Sequence, residues 1–196
     1  MRDEPEFGFP RAKRPRSAVA ILLTINIGVF LCQVLFDPGS LDRRFGDSIT
    51  RQWLALDTAD PNFLLPLQLF VFQFLHGGVG HLLINMLMLY FIGRSLEQAI
   101  GRGELVGLYL ASGVMGGLLQ LLFALLMPSK FAAPLVGASA GVFGFMAVLA
   151  RMYPRQEVYL LLFFVLPVRI QLRWLLWGSI GLAMLGILMV IQVFKG

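Results

Sequence analysis

Long apolar runs alternate with shorter charged segments along this 196-residue chain. Five runs approach the roughly 20 residues a helix needs to cross the hydrocarbon core of a bilayer. They are Ser17–Phe36, Gly80–Leu96, Leu105–Met127, Gly137–Met152 and Trp174–Val193. Two further apolar stretches are too short to cross. Phe63–Phe74, interrupted by Pro66, leads into His76 and reads as part of a long outer loop, beginning near Asp37, that dips into the interface or re-enters. Val158–Leu166 lies between Pro154 and Pro167. Lengthening it into a span would bury Arg169 and Arg173, so an interfacial loop on the inner side costs less. The pattern predicts an all-α fold, a polytopic helical bundle in a membrane.

Composition agrees. The chain is 58% hydrophobic and 14% charged, whereas soluble domains are about half apolar and about a quarter charged. A net charge of +5 would suit a nucleic-acid partner, but the cations flank the apolar runs as topology signals do, so no nucleic acid is expected. Arg2, Arg11, Lys13, Arg14 and Arg16 precede the first run and place the N-terminus in the cytoplasm. Arg94, Arg102, Arg151, Arg155, Arg169 and Arg173 then fall on the same side. The other side receives Arg43, Arg44, Arg51, Lys130 and Lys195, diluted by Asp37, Asp42, Asp47, Asp57 and Asp60. Tyr153, Trp174 and Trp177 stand where an inner aromatic belt belongs.

The domain reading is a basic, Pro-rich cytoplasmic tail over residues 1–16, expected to be disordered and to touch anionic lipid, and a transmembrane domain over 17–196. The first run is long for a signal peptide's apolar core and no small-x-small site follows it, so a retained anchor is expected. Cys32 has no partner in the chain and reads as a packing residue.

Candidate chemistry lies inside the spans. Ionisable and strongly polar side chains are costly there, so each is a functional candidate. His81 and Asn85, four residues apart, project from one helix face near the start of the second span. Ser139 opens the fourth span. Both spans run from outside to inside, so the two motifs reach one layer of the membrane. Ser139 could attack a carbonyl if a base took its proton. Asn85, His81 and the backbone N–H groups around Ser139 could donate to the developing oxyanion. Gly137, with Ala138 and Ala140, would let a substrate backbone or a helix approach closely. A packing role is the alternative. Gly113/Gly117 and Gly137/Gly141 both have GxxxG spacing, and these glycines with Gly144 are expected at close helix contacts. His81 and Asn85 could equally be a structural pair between helices. His76, beside Gly77 and Gly78, reads as a residue that organises a loop.

Together these residues resemble the rhomboid intramembrane serine proteases. The H-G-G-x-x-H-x-x-x-N pattern at His76, His81 and Asn85 is similar to theirs, and Gly137–Gly144 (GASAGVFG) looks like their nucleophile motif. Gln73–Gly78 and Tyr90–Gly93 also look familial; Leu67 departs, where an aromatic residue is common. The resemblance implies a six-helix bundle, of which five helices are present here, with a water-filled cavity open to the outside. It implies a Ser–His dyad with no metal and no cofactor, acting on transmembrane protein substrates in the lipid bilayer. Ser139 would be the nucleophile, His81 and Asn85 would line the oxyanion hole, and Gly137 would allow close backbone approach. These residues would lie toward the extracytoplasmic leaflet.

One departure bears on activity. The family's base is a His on the sixth helix, whereas this chain has two His, both before Ser139, so the general base is absent. Two readings remain. The preferred one places the base beyond residue 196, because polar residues that are costly in lipid have been kept. The other is an inactive relative that binds transmembrane helices for trafficking or quality control. A transporter is disfavoured, since the spans lack acidic relay residues and a broken-helix pair of inverted symmetry.

Overall fold

The computed structural model describes residues 17–37, 48–59, 64–162 and 166–181. The tail over 1–16 and most of the fifth run, beyond 181, lie outside the described residues. Four helices dominate: α1 (Ala18–Phe36), α3 (Val79–Ile100), α4 (Arg102–Leu126) and α6 (Ser139–Met152). Between α1 and α3 the chain forms a π-helical turn (Thr50–Leu54), β1 (Leu56–Asp57), the short α2 (Leu65–Val71) and a 3-10 turn (Phe72–Phe74). After α4 come α5 (Pro128–Phe131) and β2 (Pro134–Leu135), and after α6 the strands β3 (Glu157–Leu162) and β4 (Leu166–Gln171). The backbone is helical again over 172–181.

The four long runs expected to be helical are so, with α3 extending four residues past the expected end at Leu96. Helices α1, α3 and α4 are long and apolar enough to cross a membrane. Helix α6 has 14 residues, roughly 21 Å of rise, less than the roughly 30 Å hydrocarbon core.

Two details differ from the sequence pattern. Pro66 does not interrupt its apolar stretch; it sits in the first turn of α2, where a missing N–H removes no helical bond. Val158–Leu166 is too short to cross, as expected, but most of it is strand rather than loop. It pairs as an antiparallel hairpin with Glu157 opposite Gln171 and Leu162 opposite Leu166. The ladder satisfies backbone groups that an irregular loop in an apolar interface would leave unpaired.

The core gathers where α3, α4 and α6 meet, around Leu89, Leu96, Leu105, Tyr109 and Phe145, all inaccessible. Its tightness comes from glycines. A methyl group at Gly141 of α6 would stand 2.6 Å from Cδ2 of Tyr109, and one at Gly116 of α4 would stand 2.6 Å from Cβ of Ala140. Gly144 abuts Ser112, Gly113 abuts the Gln73 amide, and Gly117 abuts Leu56, Leu69 and Phe72. Helices in lipid gain little from the hydrophobic effect between them, so close backbone approach supplies the packing. Four of the five glycines expected at close helix contacts thus lie on helices against close neighbours; Gly137 is also closely packed, but in the loop ahead of α6.

The start of α1 is tied to the end of α3. The Glu97 carboxylate accepts from the Ser17 hydroxyl, from the Ala18 N–H at 2.7 Å and from the Val19 N–H at 3.3 Å. An anion at a helix N-terminus satisfies orphan donors and complements the dipole.

Candidate active site

The site is assembled at the end of the bundle where α3 and α6 begin. Gly78 ends the loop ahead of α3, and His81 follows in the first turn. Asn85 lies one turn on, buried, and its Nδ2 donates to the His81 carbonyl at 2.9 Å. That uses one of the two amide hydrogens of Asn85 and fixes the side chain on the face it shares with His81.

The Gly77 N–H donates to Nδ1 of His81 at 3.4 Å. With Nδ1 accepting, the neutral ring carries its proton on Nε2. The Cε1–Nε2 edge faces Gly137: a methyl group there would stand 2.7 Å from Cε1 and 2.8 Å from Nε2. Gly137 has φ of +126°, a conformation that L side chains rarely adopt, and its N–H donates to the Phe72 carbonyl at 2.9 Å. Two requirements, the backbone angle and the space taken by the His81 ring, thus fall on one glycine. Ser139 opens α6 two residues later and is partly exposed. The structure therefore brings Gly137 of one motif against His81 of the other, with Ser139 at a helix N-terminus beside them.

His76 is fully buried, its ring edge-on to His81 with centroids 5.2 Å apart. Burial first, and then the neighbouring His81, push its pKa down to about 4, so the ring is neutral near pH 7. Its backbone is gripped by a residue that the sequence pattern does not single out. Gln33 of α1 accepts from the His76 N–H at 3.0 Å and donates to the His76 carbonyl at 3.3 Å. A second polar link joins α1 to α4 and the 3-10 turn: Asn26 Nδ2 donates to the Tyr109 hydroxyl at 3.3 Å, and that hydroxyl donates to the Gln73 carbonyl at 3.0 Å. Asn26 and Gln33 are seven residues apart, on one face of α1 and both buried. That spacing within an apolar run is the signal that could have found them. Among the described residues no group of three His, Cys, Asp or Glu side chains converges.

Residues 66–194 match the family model described as the Rhomboid domain. The chain belongs to the rhomboid family. It is 41% identical over 88 residues to RHOMBOID-like protein 4 of Arabidopsis thaliana, covering 44% of this chain and 21% of that one. It is 28% identical over 144 residues to the rhomboid protease GlpG of Klebsiella pneumoniae, covering 71% of this chain and 46% of that one. The rhomboid protease GluP of Bacillus subtilis is 33% identical over 75 residues, 38% of this chain and 13% of that one. The chain thus spans between 13% and 46% of the length of these three relatives. Membership of this family and the apolar helices make it a multi-pass integral membrane protein.

Proposed function

We propose that this rhomboid protein is an intramembrane serine endopeptidase that hydrolyses peptide bonds in or near transmembrane segments of other membrane proteins. The observation that carries the reading is the seating of Gly137 on the Cε1–Nε2 edge of His81, with Ser139 starting a helix two residues later. Ser139 is the nucleophile. The tetrahedral oxyanion is received by His81 Nε2–H, by the second amide hydrogen of Asn85 and by backbone N–H groups at the start of α6. Gly137 keeps the approach clear, since a side chain there would fill the space beside the His81 ring.

The hydrogen-bond pattern also argues against His81 as the base. Its Nδ1 lone pair is engaged by Gly77, and its Nε2 already holds a proton. His76 is enclosed and is held through its backbone. By likeness to the rhomboid proteases, the proton of Ser139 goes to a histidine that this reading expects beyond residue 196. The N-terminus lies in the cytoplasm and the site opens toward the extracytoplasmic leaflet, following the distribution of Arg and Lys. Small, helix-breaking residues near the outer end of a substrate's span suit such a site, because a peptide bond must leave its helix before a serine can reach it.

The engagement of His81 Nδ1 by Gly77 and the burial of His76 also favour a second reading, an inactive relative that binds transmembrane helices. Reconstitution of the protein expressed from its complete gene, with a reporter carrying a transmembrane segment, separates the two. The protease reading expects cleavage that Ser139→Ala abolishes. Reporter capture without cleavage, unchanged by Ser139→Ala, supports the second. Cleavage that persists in Ser139→Ala overturns the role of Ser139.

A further inference from the structure

At the opposite end of the bundle, residues of α1, α3 and the start of α4 line a half-open cavity of about 620 Å³. Its lining includes Ser17, Leu23, Tyr90, Arg94, Glu97 and Arg102. Sixteen residues of α3 separate Glu97 from His81, so it lies roughly 24 Å from the candidate active site. Its volume falls in the range of small-molecule sites.

The lining has two chemical halves. One is cationic. The exposed Arg94 donates to the Tyr90 hydroxyl at 2.9 Å and lies over the Tyr90 ring, which holds the guanidinium at the mouth with donors left over. Arg102 contributes a second guanidinium, 45% exposed. The carboxylate between them, Glu97, is already occupied by Ser17, Ala18 and Val19 and by Arg102 at 3.6 Å. Glu104 faces Gly101 at the edge of the cavity and offsets part of the charge. The other half is apolar. Leu23 and the Tyr90 ring pass onto the outer surface of α1 and α3, where Ile21 and Phe91 are exposed.

We propose that this cavity is a binding site for an anionic phospholipid. The phosphodiester is held by Arg94 and Arg102, and an acyl chain runs along Leu23 and Tyr90. Guanidinium forks match phosphate oxygens in geometry as well as charge. A soluble phosphate would use the cationic half alone. The apolar half, open to the surface that faces lipid, selects an amphiphile.

The test uses purified, delipidated protein and native mass spectrometry, with thermal unfolding alongside. Phosphatidylglycerol should be retained as a one-lipid adduct at least about tenfold more than phosphatidylcholine, and should raise the unfolding midpoint. Arg94→Gln with Arg102→Gln should remove both effects. Arg151→Gln with Arg173→Gln, away from the cavity, should leave them in place. If the double variant unfolds by itself, Tyr90→Phe serves instead: it frees Arg94 and should lower retention severalfold. Inorganic phosphate should not shift the midpoint. Equal retention of the two lipids, equal loss with the Arg151/Arg173 pair, or a phosphate shift matching that of phosphatidylglycerol would each overturn the proposal.

Discussion

Gln33 closes a chain of contacts from α1 to His81. Its amide pairs with both backbone groups of His76, and the next residue, Gly77, donates to Nδ1 of His81. In Gln33→Leu both His76 groups would be buried without partners, at a cost of about 1–3 kcal/mol. The unfolding midpoint in detergent should fall. A midpoint unchanged in Gln33→Leu would show that the grip contributes nothing. His76 gives a pH signature. Its folded pKa of about 4 lies below the ordinary 6.5, so the unfolded chain binds the extra proton between those values. The contribution is complete above about pH 6.5 and is lost as pH falls toward 4, by up to roughly 1.4 kcal/mol per unit. Unfolding measured from pH 7.5 to 5 should show this slope, and His76→Gln should flatten it. His81 and Asn85 are legible in the sequence because polar residues in an apolar run stand out. Gln33 carries the same kind of signal, seven positions from Asn26 in an apolar run, but nothing in the run identifies its partner 43 positions away.

At the scale of elements, α4 and α6 pack through the glycines of one against the side chains of the other. In Gly141→Leu the new side chain would meet the Tyr109 ring, which is itself fixed by hydrogen bonds to Asn26 and Gln73. The ring has little freedom to retreat, so destabilisation of about 3 kcal/mol or more is expected, toward the top of the usual range for overpacking or past it. Thermal unfolding in detergent checks this; a midpoint equal to that of the parent protein would contradict the close contact. The sequence pattern marks Gly141 and Gly144 of α6, whereas the α4 glycine that meets α6 is Gly116, outside the GxxxG pair, because Gly113 and Gly117 face Gln73, Leu56, Leu69 and Phe72 instead. The β3–β4 hairpin is not legible, because a short apolar stretch bounded by prolines lacks the alternation that marks a half-buried strand. Pro66 departs from the sequence pattern for a related reason: proline breaks the middle of a helix but suits its first turn, and composition cannot tell the two apart.

The whole molecule divides its labour between two ends. Where α3 and α6 begin lies the arrangement of Gly137, His81, Asn85 and Ser139; where α3 ends, Glu97 ties down α1, and Arg94 and Arg102 line the cavity. On the proposed roles neither histidine acts as the base, and removing the base of a serine–histidine unit costs on the order of a millionfold in turnover. Residues 1–196 expressed alone are therefore expected to insert but to show no measurable proteolysis of a transmembrane reporter. Robust cleavage by that polypeptide, abolished by Ser139→Ala, would mean that His76 or His81 accepts the proton and that the role assigned to that histidine is wrong. The most direct measurement of the central claim, Ser139 as nucleophile, is covalent labelling of the protein with a serine-directed phosphonate. The protein is expressed in membranes from its complete gene, and the adduct is mapped by mass spectrometry. One adduct is expected, on Ser139, lost in Ser139→Ala and strongly reduced in Gly137→Val. An adduct on another residue, or label that survives Ser139→Ala, would contradict the claim.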